Sequence, residues 1–154
     1  MALITKGKPI TILMADDDED DRLLTQDALR ESRVLNSLYC VEDGVELLEY
    51  LRKQGKYAIG APCPRPSLIL LDLNMPRMDG REALRAIKDD ENLRGIPVVI
   101  LTTSKQEEDM VRGYNLGAAS YITKPVNFDG LVDLMRTLGK YWVEFVELPE
   151  QDDD

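Results

Sequence analysis

Three short, predominantly apolar runs govern what this chain can fold into: Ile10–Ala15, interrupted only by Thr11, Leu68–Leu71 and Pro97–Leu101. Each holds four to six residues and stops at a polar side chain, Asp16, Asp72 and Thr102 in turn. A strand with one wet face alternates apolar and polar residues, whereas a strand covered on both faces does not alternate. Runs this short and this continuous therefore predict parallel strands inside a sheet. Leu38–Val41 and Ser120–Thr123 are two weaker strands of the same kind.

Amphipathic stretches separate the strands. Leu24, Ala28 and Leu29 are predicted to share one helical face, as are Leu47, Leu48 and Leu51, and then Ala83, Leu84 and Ile87. Ser104 with Glu107 reads as a capping box opening a helix with Met110, Val111 and Tyr114, and Asn115 and Gly117 supply its stop. A last helix begins near Asn127 and carries Leu131, Leu134, Met135 and Leu138. A strand–helix unit repeated five times implies an α/β fold, a doubly wound parallel sheet with right-handed crossovers and helices on both faces. The longest loop, Gly55–Pro66, is rich in Gly and Pro.

The 154 residues make one domain, with a core over about 10–138, a C-terminal extension over 139–149 and an acidic tail over 150–154 expected to be disordered. Net charge is -10, from 19 Lys+Arg against 29 Asp+Glu, which argues against binding nucleic acid or an anionic membrane. No apolar run approaches membrane-spanning length, and no secretory signal is recognisable. Cys40 and Cys63 form no CxxC motif, so two reduced thiols in the cytoplasm are expected. With no histidine in the chain, His-based triads and His-ligated zinc are excluded.

The polar residues that end the strands carry the chemistry. Asp16-Asp17-Asp18-Glu19-Asp20-Asp21 follows the first strand, Asp72 the third, Thr102 the fourth and Lys124-Pro125 the fifth. Carboxyl ends of parallel strands line the crevice where ligands bind. Clustered carboxylates favour a hard divalent cation such as Mg²⁺, which needs few protein oxygens because it keeps several waters. A lysine ammonium and a threonine hydroxyl can serve phosphoryl oxygens, with Asp72 as nucleophile. Taken singly, each residue has a plainer reading: an acidic run is often a solvated loop, Lys124 a surface lysine, Thr102 a strand end and Tyr121 a packed aromatic. Within the acidic run, Asp18 either joins the site or caps the next helix, with Asp21 at the third helical position.

The set Asp16/Asp17, Asp72, Thr102 and Lys124-Pro125 resembles the receiver domain of two-component response regulators. The intervals agree, 30 residues from Asp72 to Thr102 and 22 from Thr102 to Lys124, as do Asn74-Met75-Pro76 and Met78-Asp79-Gly80. The resemblance implies a flavodoxin-like (βα)5 fold with strand order 2-1-3-4-5. It also implies Mg²⁺ held directly by Asp17 and Asp72, by Asp16 through water and by the Asn74 main-chain carbonyl. It further implies an aromatic switch at Tyr121 beside the switch threonine Thr102, and a cis Lys124–Pro125 peptide. Thr103 stands where the family usually has a smaller side chain.

The Pro-containing loop before the third strand and the ending Lys140–Pro149 resemble single-domain regulators paired with bacterial phytochrome histidine kinases. A sensor histidine kinase is then the expected donor, with output through contact with another protein. Tyr141, Trp142, Phe145 and Leu148 exceed what one domain needs to cover its sheet, so a homodimer is expected. A haloacid-dehalogenase-type phosphatase is the enzymatic rival, but its general acid would fall at Asn74, which cannot protonate a leaving group. An unphosphorylated flavodoxin-like scaffold is the third reading.

Overall fold

The computed structural model describes residues 10–32 and 36–141. Five parallel strands, β1 (Ile10–Ala15), β2 (Asn36–Val41), β3 (Leu68–Asp72), β4 (Val98–Thr102) and β5 (Ser120–Thr123), form one sheet in the order β2-β1-β3-β4-β5. Helices α1 (Glu19–Ser32), α2 (Gly44–Arg52), α3 (Gly80–Asp89), α4 (Lys105–Arg112) and α5 (Phe128–Tyr141) alternate with them. This is the expected doubly wound architecture. The extension and acidic tail, from residue 142 onward, lie outside the described residues.

Successive strand residues face opposite sides, and both sides are dry. Leu13, Ala15, Ile69, Leu71, Val98 and Ile100 meet Leu47 and Leu48 of α2, Ala83, Leu84 and Ile87 of α3, and Val111 of α4. Ile12, Met14, Leu68, Leu70, Val99 and Leu101 meet Ala28 and Leu29 of α1 and Val132, Met135 and Leu138 of α5. A fully buried Leu or Ile contributes about 1.5–3 kcal/mol, so these two layers fix the strand order and register. No helix among the described residues is long and apolar enough to cross a membrane.

Two helices depart from the expected pattern. In α1 the buried stripe is Thr25, Ala28, Leu29 and Ser32, an i, i+3, i+4, i+7 set, which turns Leu24 outward to 43% exposure. In α4, Val111 is buried while Met110 is exposed, and Tyr114 lies beyond the helix end, also exposed. Ser104 caps α4 by accepting from the Glu107 N–H at 3.1 Å. The Glu107 side chain does not complete the box; it bonds the Thr103 N–H instead. The helix is capped at Gly113, in right-handed conformation, and Asn115 and Gly117, expected as its stop, adopt left-handed conformations in the turn beyond it.

Gly80 is required by close approach. A Cβ there would lie 2.6 Å from the Asp72 carbonyl oxygen and 2.9 Å from Leu73 Cα. The absence of a side chain lets α3 start directly beneath the end of β3, where the Gly80 N–H donates to the Leu73 carbonyl at 2.8 Å.

Candidate functional site

The carboxyl ends of β1, β3 and β5 bring the acidic run, Asp72 and Lys124 together. Asp16 is fully buried and Asp72 is 4% exposed, whereas Asp17 is exposed. One carboxylate oxygen from each of Asp16, Asp17 and Asp72 lies within 4.8 Å of the other two, the spacing a single cation can bridge. Lys124 is placed by its own N–H, which donates to the Thr102 carbonyl at 2.8 Å one residue past the end of β5. Its ammonium donates to Asp16 Oδ2 at 2.9 Å and Asp21 Oδ2 at 2.8 Å, and stands 3.5 Å from Asp72 Oδ1. At that distance Asp72 Oδ1 has ion pairing but no hydrogen bond, and it is buried.

These surroundings set the protonation of the site. Burial pushes the Asp72 carboxyl up to about 7; the Lys124 charge opposes this and Asp16 adds to it. Burial also raises Asp16, against the Asp18 N–H and Lys124. For Lys124, burial works against the charged form, but Asp21, Asp72 and Asp16 outweigh it and its pKa is raised. Two buried acids, the exposed Asp17 and one ammonium leave excess negative charge at the mouth of the site. A hard divalent cation with oxygen ligands fits that donor set, and the bare Asp72 oxygen is where it would bind.

Hydrogen bonds distinguish the members of the acidic run. Asp16 Oδ1 accepts from the Asp18 N–H at 2.9 Å, and Asp18 Oδ1 accepts from the Asp20 and Asp21 N–H groups at 2.9 and 3.4 Å. Asp18 is thus the cap of α1 and stays out of the carboxylate cluster.

The other expected site residues sit around the rim. The Asn74 amide donates to Glu107 Oε2 at 3.0 Å, while Glu107 Oε1 accepts from the Thr103 N–H and hydroxyl at 3.0 and 3.2 Å. Glu107 therefore ties together the loops after β3 and β4. Thr102 is buried, and its hydroxyl donates to the Ser104 carbonyl at 3.2 Å, beside Thr123 Oγ1 at 3.5 Å. Tyr121 is packed inward with its hydroxyl accepting from the Ala118 N–H, and Arg112 stacks over its ring. Thr123 donates to Glu108 Oε1 at 2.8 Å, and Glu108 Oε2 holds Arg112, which donates to the Tyr121 carbonyl at 2.6 Å. A polar chain thus runs from beside Thr102 to Tyr121.

The Lys124–Pro125 peptide is trans, correcting the expected cis bond. Trans is favoured by about 0.5–1 kcal/mol for X-Pro, and the Lys124 ammonium already reaches its carboxylates without the turn.

Sequence reasoning missed five partners. Asp21 was read only as a helix position, yet it binds Lys124. Arg22 donates to the Asp16 carbonyl at 2.6 Å. Arg77, in the left-handed conformation, makes a two-pronged bond to Asp43, the cap of α2, at 2.8 and 3.1 Å. Glu107, expected only in the capping box, instead binds Asn74 and Thr103, and Glu108 binds Thr123 and Arg112. Helix phase within the first turns of α1 and α4 was the signal available for Asp21 and Glu108.

The response regulator receiver domain family matches residues 12–136. The chain belongs to this family. Among its relatives, this receiver is 40% identical to response regulator Rcp1 of Synechocystis over 141 residues, 92% of this chain and 94% of that one. Its fold superimposes with a TM-score of 0.80 on the phosphorylated cyanobacterial phytochrome response regulator RcpA, at 40% identity over 93% of this chain and 100% of that one. A response regulator in red light signaling of R. palustris gives 0.83 at 33% identity, covering 94% of this receiver and 100% of its own chain. The Mn(2+)-bound form of Rcp1 gives 0.78 at 40% identity, over 92% and 100% of the two chains. This receiver is accordingly a response regulator, a signalling switch.

Proposed function

We propose that the chain accepts a phosphoryl group on Asp72 in a Mg²⁺-dependent reaction, from a phosphohistidine on a phytochrome-type sensor histidine kinase. The observation that carries this reading is the buried Asp72 Oδ1, without a hydrogen-bond partner, beside two further carboxylates and 3.5 Å from Lys124. An Asp72 oxygen attacks phosphorus as the phosphorus–nitrogen bond breaks; the electron pair stays with the imidazole, and an acyl phosphate remains on Asp72. Lys124 neutralises one phosphoryl oxygen. The Thr102 hydroxyl exchanges the Ser104 carbonyl for another, and Tyr121 follows it along the polar chain through Glu108 and Arg112.

Asp17 and Asp72 would hold the metal directly and Asn74 through its carbonyl. Both oxygens of Asp16 are already engaged, which suits contact through water. When bound, Mg²⁺ supplies the positive charge that lets an anionic carboxylate meet an anionic donor. The likeness to the phytochrome response regulator RcpA supports the phytochrome-type donor, and the free thiols Cys40 and Cys63 suit a reaction in the cytoplasm. We read residues 1–149 as one such unit, acting on a protein target and catalysing no reaction beyond its own phosphorylation and dephosphorylation. The apolar sequence from Tyr141 to Leu148 supports pairing of two copies, and sedimentation of the whole chain against one ending at Lys140 tests that.

The donor is tested with a purified phytochrome-type kinase charged with labelled ATP. Label should pass to the wild type and not to Asp72→Asn. Acid-stable label on a serine or threonine would refute the reading.

A further inference from the structure

The Lys124 ammonium has three protons, and two of them are committed before any phosphoryl group arrives. One goes to Asp16, which is fully buried and also bound by the Asp18 N–H. The other goes to Asp21 at 2.8 Å, the shortest of the Lys124 contacts. Asp72 is left at 3.5 Å, outside hydrogen-bond alignment. Asp21 owes its position to the Asp18 cap, which sets it at the third residue of α1 and aims its carboxylate across the helix entrance toward the end of β5.

We propose that Asp21 is a positioning residue that holds the Lys124 ammonium away from Asp72, so that it competes with an incoming phosphoryl group for Lys124. This rests on the phosphoacceptor reading above. Of the two bonds, the one to Asp21 is the one water can replace, because its carboxylate is 36% exposed and that of Asp16 is fully buried. Drawing the ammonium in from 3.5 Å toward a phosphoryl oxygen on Asp72 therefore strains the Asp21 bond first, while Asp16 keeps its hold. Asp20, the neighbouring acid on the same helix turn, is exposed and makes no bond to Lys124, so it carries the same charge without the contact.

The test titrates Mg²⁺-loaded full-length protein with beryllofluoride, a phosphoryl mimic, by calorimetry. Asp21→Asn should bind it about 5-fold tighter than wild type, the weight of a charge-assisted hydrogen bond discounted for exposure. Asp21→Ser, equally uncharged, carries the same expectation should the first variant fold poorly. Asp21→Glu should restore wild-type affinity, and Asp20→Asn should change it less than about 2-fold, as expected of a screened surface charge. Structural damage would weaken binding, so a gain separates positioning from mere support. An unchanged or weaker affinity in Asp21→Asn, or an equal gain in Asp20→Asn, overturns the proposal. Wild type that takes up no beryllofluoride overturns the phosphoacceptor reading as well. Uptake by wild type with no gain on removing Asp21 overturns this inference alone.

Discussion

Gly80→Ala should destabilise this protein, although glycine to alanine inside a helix ordinarily stabilises by about 1 kcal/mol. The added Cβ would sit 2.6 Å from the Asp72 carbonyl oxygen, where ordinary contact begins near 3.4 Å, so something must move by about 0.8 Å. Both neighbours are backbone, Asp72 O and Leu73 Cα, at the end of a strand whose residues are all buried. No flexible side chain can yield. Overpacking of this kind costs about 1–3 kcal/mol or more, and the helix gain is small at the first residue of α3. The net expectation is a loss of about 2 kcal/mol, or about 4–8 °C in Tm for a domain of this size. Urea unfolding measures it, with Gly95→Ala as the control. Nothing lies within 4 Å of a Cβ at Gly95, so that variant should stay within about 0.5 kcal/mol of wild type. Gly80→Ala as stable as wild type would refute the close-approach argument. A shift of the Asp72 carbonyl should also slow phosphorylation of the folded fraction.

Asp17→Asn should abolish Mg²⁺ binding by calorimetry, whereas Asp20→Asn should retain it; equal loss in both would mean the ligand register is wrong. Leu29→Ala should cost about 2–4 kcal/mol and Leu24→Ala less than about 1, because only Leu29 lies on the buried stripe of α1. Burial raises Asp43, but the Arg77 guanidinium and the Glu46 N–H outweigh it and hold the carboxyl below its usual 3.8. A depressed folded pKa gives stability that is present above the unfolded value and lost as pH falls through the folded one. Arg77→Met should therefore lower the unfolding midpoint at neutral pH, with the gap narrowing below about pH 4; a gap that does not depend on pH would contradict the pairing.

The strands were legible because burial on both faces leaves an unambiguous mark, as in Leu68–Leu71. Strand ends in a parallel sheet converge, so Asp16, Asp17, Asp72 and Lys124 could be placed together from their positions alone. Finer choices depend on helix phase and local competition for protons, which sequence spacing does not carry. The six acids after β1 are chemically near-equivalent in sequence. Only the Asp18 cap separates Asp16 and Asp17, in the cluster, from Asp21, on the lysine. Leu24 looked like core because it lies four residues before Ala28, yet Thr25 and Ser32 set the stripe. The Thr102 hydroxyl found a nearer acceptor in the Ser104 carbonyl, a bond two residues away that no strand pattern foretells.

Intact-mass measurement after incubation with Mg²⁺ and acetyl phosphate tests the central claim most directly. Wild type should gain the mass of one phosphoryl group, about 80 Da, reversibly and only with the metal, as an acyl phosphate on a single carboxylate requires. Asp72→Asn should gain nothing. Full labelling of Asp72→Asn, or labelling of wild type that persists without a divalent cation, would contradict the account.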